Sequence, residues 1–375
     1  MCKSTICGLL LCLCLLPLAA PAPAAEVKGL YEAEMYVPDQ SRRERGLAMS
    51  AALAEVVTRV SGRPDARLRP GVAKAIRQSA RLLQQYRYRA LPPALREADL
   101  PGDDPQRIFF RFDRLAVDRL LRDNGLPVWG ATRPVVLAWV VVEDTAGRRL
   151  LAADNPQPLR GAVVEAAQRL GLPLILPLMD LQDETRVSVG DVWGRFLEPV
   201  RRASQRYHPE VLLLGRLFRD PSGDWQADWR VDEDGVGEQW HSDGALADEA
   251  VNAGMLRLLD WLSARYAPLD QGEAGRQLIF TVLGVHSLAD FARVDRYLRS
   301  LQQVATVQPR VFADDRVEFV LALHGGVASL VQTIALGRML VPAEEAIAIG
   351  TPVVETPVPA ITTTAPPRRA YRLLH

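Results

Sequence analysis

Three patterns in this chain predict an α/β to α+β protein built from two or three small mixed modules. A continuous apolar run at residues 135–142 (VVLAWVVV), as in strands buried on both faces, and a second buried strand at 211–218 (VLLLGRLF) flank helical periodicity. Tryptophans at 225 and 229 alternate with polar residues in a predicted meander, and a β-α-β-β-α pattern follows it. At 375 residues the chain exceeds a usual single core, and its 48% hydrophobic content excludes a wholly disordered protein.

Residues 1–24 read as a signal peptide. Lys3 supplies a positive start, residues 8–16 (GLLLCLCLL) an apolar core, and Ala22-Pro23-Ala24 the small residues of a cleavage site. Such a core rises only ~14 Å as a helix against a ~30 Å bilayer interior, so no transmembrane segment is expected after cleavage. Cys2, Cys7, Cys12 and Cys14 all lie in this leader, which leaves a cysteine-free mature chain suited to an oxidising compartment. The expected address is the periplasm, as a soluble exported protein.

The N-terminal α+β module, 25–128, starts with alternation over residues 30–37 and continues into a helix carrying Met49, Leu53, Val56 and Val60, closed by Gly62. A second helix is expected over 72–85. A Pro-rich acidic loop over 91–105, a strand over 108–112 and a short helix over 117–124 complete the module.

The α/β module, 129–270, holds strand 135–142, helix 161–170, the run 172–176 and a helical stretch 192–207 that Pro199 should interrupt. Strand 211–218, a three-stranded meander turning at Asp220-Pro221-Ser222-Gly223 and Asp234-Gly235, and a helix over 246–265 follow. The β-α-β-β-α module, 271–341, resembles a ferredoxin-like half: strand 278–283, a helix capped by Ser287 with Asp290, strands 304–312 and 317–323, and a helix over 327–339. Residues 342–375 are proline-rich without apolar period, and read as a disordered tail.

Formal charge is zero, so a nucleic-acid partner is not expected. Only Lys3, Lys28 and Lys74 are lysines, and the arginines that carry the remaining positive charge are spread along the whole chain. No G-x-S-x-G, H-E-x-x-H, C-x-x-C, P-loop or G-x-G-x-x-G occurs, and no catalytic residue, metal site or cofactor is expected. His208, His241, His286, His324 and His375 read as loop or turn residues. The carboxylate groups Asp180, Asp183, Glu184 and Asp232, Glu233, Asp234 read as solvated loops. Trp225, Trp229 and Trp240 fall on adjacent strands; core packing is the adopted reading for the first two, and an aromatic contact surface the alternative. In the tail, Tyr371, Leu373 and Leu374 among arginines suit a short linear docking motif.

Four segments carry a resemblance: LYEAEMYVPDQSRRERGLAMSAALAEVVTRVSG from Leu30, WGATRPVVLAWVVVED from Trp129, YHPEVLLLGRLFRDPSGDWQADW from Tyr207, and FARVDRYLRSLQQVATVQPRVFADDRVEFVLALHG from Phe291. Together they resemble an exported Gram-negative family catalogued as a domain of unknown function (number two thousand and sixty-six). The resemblance implies no activity and no site residue. More distantly, the element order is similar to periplasmic adaptor folds. The expected function is non-catalytic binding of an envelope component, either a partner protein or cell-wall polymer. The alternatives are a carboxylate-based hydrolase acting on glycan and a glycan-binding module.

Overall fold

The structure is a computed structural model that describes residues 25–91, 105–154, 157–267, 277–324, 326–337, 339–343 and 367–374. The expected signal peptide with its four cysteines, and most of the acidic loop, lie outside the described residues. The mixed α+β architecture expected from the sequence is present, among the described residues, as four sheets flanked by helices.

The N-terminal part comprises β1 (Ala25–Glu26), β2 (Glu32–Val37), α1 (Arg42–Ser61), α2 (Pro70–Arg77), β3 (Leu83–Arg89), β4 (Gln106–Phe112) and α3 (Arg114–Asp123). Helix α1 begins where Ser41 Oγ accepts the Glu44 N–H, and ends at Gly62 in the left-handed region. A Cβ at 62 would come within 2.3 Å of the Ser263 side chain, so both conformation and space require glycine there. Leu53, Val56, Val57 and Val60 of α1 share a core with Ile108, Phe110 and Phe112 of the antiparallel sheet β2-β4-β3. The helix expected over 72–85 stops at Arg77. Beyond a short 3-10 turn, Tyr86 and Tyr88 enter β3, where Tyr86 pairs with Phe110, ring centroids 6.5 Å apart. Aromatic cross-strand packing outweighs local helical spacing here.

The central part contains β5 (Thr132–Arg133), β6 (Val136–Asp144), β7 (Gly147–Leu150), α4 (Pro158–Arg169), β8 (Leu174–Ile175), α5 (Leu181–Glu184), α6 (Val189–Trp193), α7 (Leu197–Ser204), β9 (Val211–Arg219), β10 (Trp225–Glu233), β11 (Val236–Gly244) and α8 (Ala247–Tyr266). Sheet order is β11-β10-β9-β6-β7, and β6 runs parallel to β9 and to β8. Both faces of β6 are covered. Val136, Ala138, Val140 and Val142 pack with α4 and α8, whereas Leu137, Trp139 and Val141 pack with α6 and α7. The break expected at Pro199 lies earlier, at residues 194–196, where Arg195 takes φ 57°. Pro199 sits in the first turn of α7, where a missing N–H loses no helical bond.

The last part comprises β12 (Gln277–Leu283), α9 (Leu288–Ser300), β13 (Val304–Ala313), β14 (Arg316–Leu323), α10 (Val327–Leu336), β15 (Leu340–Pro342) and β16 (Arg368–Leu373), with sheet order β13-β14-β12-β16-β15. The expected β-α-β-β-α unit is there, with Ser287 Oγ accepting the Asp290 N–H at its helix start. The expectation of disorder from 342 to 375 is corrected at both ends of that span. Pro342 closes β15, and Arg368–Leu373 forms a strand that buries Tyr371 and Leu373 in the core with Phe280. Their spacing of two puts both side chains on one face, a strand pattern too short to stand out beside the prolines. Residues 344–366 lie outside the described residues.

Candidate functional site

A recess of about 690 Å³ lies between β7 (Arg148, Arg149), the chain leaving β8 (Leu178, Met179) and the start of α6 (Ser188). Its wall is held from behind. Asp183 is fully buried, and its Oδ2 accepts the Met179 N–H at 3.0 Å and the Tyr207 hydroxyl at 2.5 Å. Those bonds support Met179 in the left-handed region, φ 56°, an uncommon conformation for a residue with a side chain. Burial, then the bond to Asp183, pushes the Tyr207 hydroxyl up to about 12. Arg206 pairs with Asp180 at 2.7 Å and holds that exposed carboxyl down at about 2.

Beside the recess, Trp193 at the end of α6 is flanked by two guanidinium groups. Arg148 stands 3.8 Å and Arg216 5.4 Å from the ring, and Phe218 meets it edge-on at 6.0 Å. Arg216 leads to the outer face of the meander, where Asp228 is its cross-strand partner on β10 and His241 faces Asp228 from β11. Arg216 Nη2 lies 2.7 Å from Asp228 Oδ2, and His241 Nδ1 2.9 Å from Asp228 Oδ1. Gln226 donates through Nε2 to Asp220 at 2.9 Å, so its Oε1 faces His241 Nε2 at 2.7 Å. Partial burial pushes the Asp228 carboxyl upward, but the bonds from His241 and Arg216 outweigh it and hold the group below the usual range. Recess, tryptophan and polar sheet face form one continuous strip.

Several expectations on residue placement change. His241 belongs to a strand rather than a turn. Asp183 and Asp232 are buried, not solvated: Asp183 as above, Asp232 by a two-point bond to Arg201. Among the described residues, no three His, Cys, Asp or Glu side chains converge as metal ligands.

Trp225 and Trp229 point inward beneath α8. Trp229 is fully buried and donates through Nε1 to Ser242 Oγ at 3.0 Å, while Trp225 is nearly buried with Arg219 over its ring. Trp240 is half-buried on the same inner face, packed against the edge of that core. Tyr371 and Leu373 are core residues of β16, and Leu374 is exposed. The structure therefore brings none of these together with the strip. Sequence reasoning missed Trp193, Arg148, Arg216, Asp228 and His241. The available signal was the polar half of the meander's alternation, Gln226, Asp228 and Arg230.

Residues 24–130 match a family model described as "Domain of unknown function (DUF8605)". The match covers the β2-β4-β3 sheet and its helices and ends before the recess and the strip. No curated protein matches the chain. Among the described residues no helix is long and apolar enough to cross a membrane. The family finding thus reaches as far as a domain of unknown function over the first part of the chain.

Proposed function

We propose that this is a non-catalytic binding protein of the periplasm, related to the exported Gram-negative family it resembles, which holds an envelope partner protein or cell-wall polymer along the Trp193 strip. The supporting observation is the pairing of the strip's charged groups. Asp228 already accepts from both Arg216 and His241, and Arg148 lies 2.9 Å from Glu143. A carboxylate held low by hydrogen bonds from Arg216 and His241 is a poor general acid, yet such a paired surface offers directed hydrogen bonds around an aromatic ring. A second reading, a carboxylate hydrolase acting on glycan, is favoured by one feature: Asp154 and Glu184 line the same recess.

One comparison separates the two. Full-length protein and its Trp193→Ala variant are tested for retention on isolated cell-wall polymer and on immobilised periplasmic proteins, alongside release of reducing ends from the polymer. Binding readouts should fall at least tenfold in the variant while its unfolding midpoint moves little. Equal retention by both proteins would remove the strip from the mechanism. Polymer cleavage lost in Asp154→Asn or Glu184→Gln would replace the binding reading with the hydrolase.

A further inference from the structure

The two faces of the sheet β2-β4-β3 differ in kind. One face packs Ala33, Ile108 and Phe110 into the core shared with α1. Side chains alternate along each strand, so the residues between these stand on the other face. Register sets Glu34, Phe109 and Arg87 there in one row, with Glu32 and Arg111 on one side of it and Arg107 and Arg89 on the other. Glu34, Arg87, Arg89 and Arg111 are all exposed, so solvent reaches this face.

Charge on this face does not balance. Arg107 lies 2.8 Å from Glu34 and Arg111 2.7 Å from Glu32, so both carboxylates are occupied. Arg87 and Arg89 have no carboxylate partner among the described residues; their guanidinium groups stand 4.7 Å and 5.5 Å from the centroid of the Phe109 ring. Two uncompensated cations thus sit on one side of one strand, their positions about 6.6 Å apart along it. A guanidinium over a ring keeps its in-plane N–H donors, which suit a carboxylate.

Strand β3 is also an edge of its sheet, with a strand neighbour on one side among the described residues. Its irregularity is confined to Leu83 and Gln85, and residues 85–89 pair with β4 in unbroken register. An edge of this kind accepts a further strand through main-chain bonds, with alternate side chains giving specificity. Facing side chains on such a pair stand about 5 Å apart and share the period of two. Carboxylates at alternate positions of an incoming strand therefore meet Arg87 and Arg89 together.

From these relations we infer that the free edge of β3 is a strand-accepting site, and that its occupant is an extended acidic segment of a partner protein with carboxylates at alternate positions. Main-chain bonds add the segment to the sheet, and Arg87 and Arg89 select its charge. The site lies in the N-terminal sheet, within the residues that the family model matches, whereas the Trp193 strip belongs to the central sheet.

The full chain is titrated against a fluorescent peptide of alternating Glu and Thr, with anisotropy as readout. Binding is expected, weaker by about tenfold in the double variant Arg87→Gln, Arg89→Gln and in high salt. The unfolding midpoint of that variant should stay near the wild-type value, because both side chains are exposed. The double variant Arg87→Glu, Arg89→Glu should instead prefer a peptide of alternating Lys and Thr. Failure to exchange preference, or no binding by the wild type, would overturn the site; the arginines would then only keep other strands off the edge. Equal binding of a fully N-methylated acidic peptide would refute strand addition, and equal binding of a Gln/Thr peptide would refute selection by charge. Vesicles containing phosphatidylglycerol that retain the wild type but not the glutamine variant would assign the face to a membrane and overturn the peptide. Binding that appears only after Glu97, Asp99, Asp103 and Asp104 are replaced by their amides would make this chain's own acidic residues the occupant and refute the partner.

Discussion

Nη2 of Arg133 donates to the backbone carbonyl of Arg59 at 2.8 Å, placing one buried arginine at the end of the helix that carries another. Arg133 also donates to the carbonyls of Leu170, Gly171, Trp129 and Gly130, and its guanidinium lies 4.2 Å from the Trp129 ring. Three of these acceptors, Arg59, Leu170 and Gly171, lie at the carboxyl ends of α1 and α4, where unpaired carbonyls and the negative end of the helix dipole favour a cation. Burial, then the nearby Arg59 charge, pulls the Arg133 pKa down, but arginine in such a carbonyl cage keeps its proton. Arg59 in turn donates to Arg169 O, Gly29 O and Glu32 O and pairs with Glu55. The two guanidinium groups join the start of the N-terminal sheet, α1 and α4 beside the buried Trp129 ring.

Arg133→Met should therefore destabilise the protein by on the order of 3 kcal/mol or more, because several buried carbonyls lose a charged donor. Arg133→Lys should recover only part, since an ammonium lacks the planar fork. Urea unfolding of both variants measures the difference, and a loss below 1 kcal/mol for Met would contradict the cage.

Trp229 sits between two glycines. A Cβ at Gly254 would come within 2.1 Å of its Nε1, and one at Gly215 within 2.6 Å of its ring. Trp229→Ala should cost about 3–5 kcal/mol as a core truncation. Gly254→Ala should also destabilise, through overpacking of the same ring. Stability unchanged in either variant would count against the inward orientation.

Acid dependence should expose the Asp180–Arg206 pair. The Asp180 carboxyl, near 3.8 when unperturbed, is held at about 2 in the folded chain. A depressed carboxyl adds stability above its unfolded pKa and loses it as pH falls toward the folded value. The stability gap between wild type and Asp180→Asn should be constant above about pH 5 and close between pH 4 and 2. A gap that persists at pH 2 would show that the variant acts through something other than this charge.

Loss of the last strand should be costly. Because Tyr371 and Leu373 are buried, truncation after Ala343 should lower the unfolding midpoint, and Tyr371→Ala alone should cost on the order of 3 kcal/mol. Limited proteolysis and thermal melts of the truncated chain check this; an unaltered melt would place the strand outside the fold.

The signal peptide expected from the sequence can be tested directly. Cleavage near Ala24 should give an exported form that lacks all four cysteines and melts identically with and without reductant. Intact mass of the secreted protein decides it, and a mature chain that retains Cys12 would refute the cleavage site.

Local patterns in the sequence were sufficient to identify the elements whose side-chain period is long and unbroken. The run at 135–142 reads as a strand covered on both faces, because continuous apolar sequence has no side to give to water, and 211–218 differs from it at Arg216, which turns to the outer face. The alternation at Trp225 and Trp229, the Ser287 cap and the Gly62 stop likewise reflect local geometry that neighbouring residues settle among themselves. Short strands escaped: β3 was hidden behind helix spacing, and β16 behind prolines, because each is stabilised by partners distant in the chain. The Trp193 strip was illegible for the same reason. Arg148, Trp193, Arg216, Asp228 and His241 are ordinary residues one by one, and only strand register sets Asp228 between Arg216 and His241. Tertiary structure also decided which polar groups are buried, since a carboxylate such as Asp183 leaves water only where Tyr207, Arg206 and a backbone N–H converge to replace its hydration.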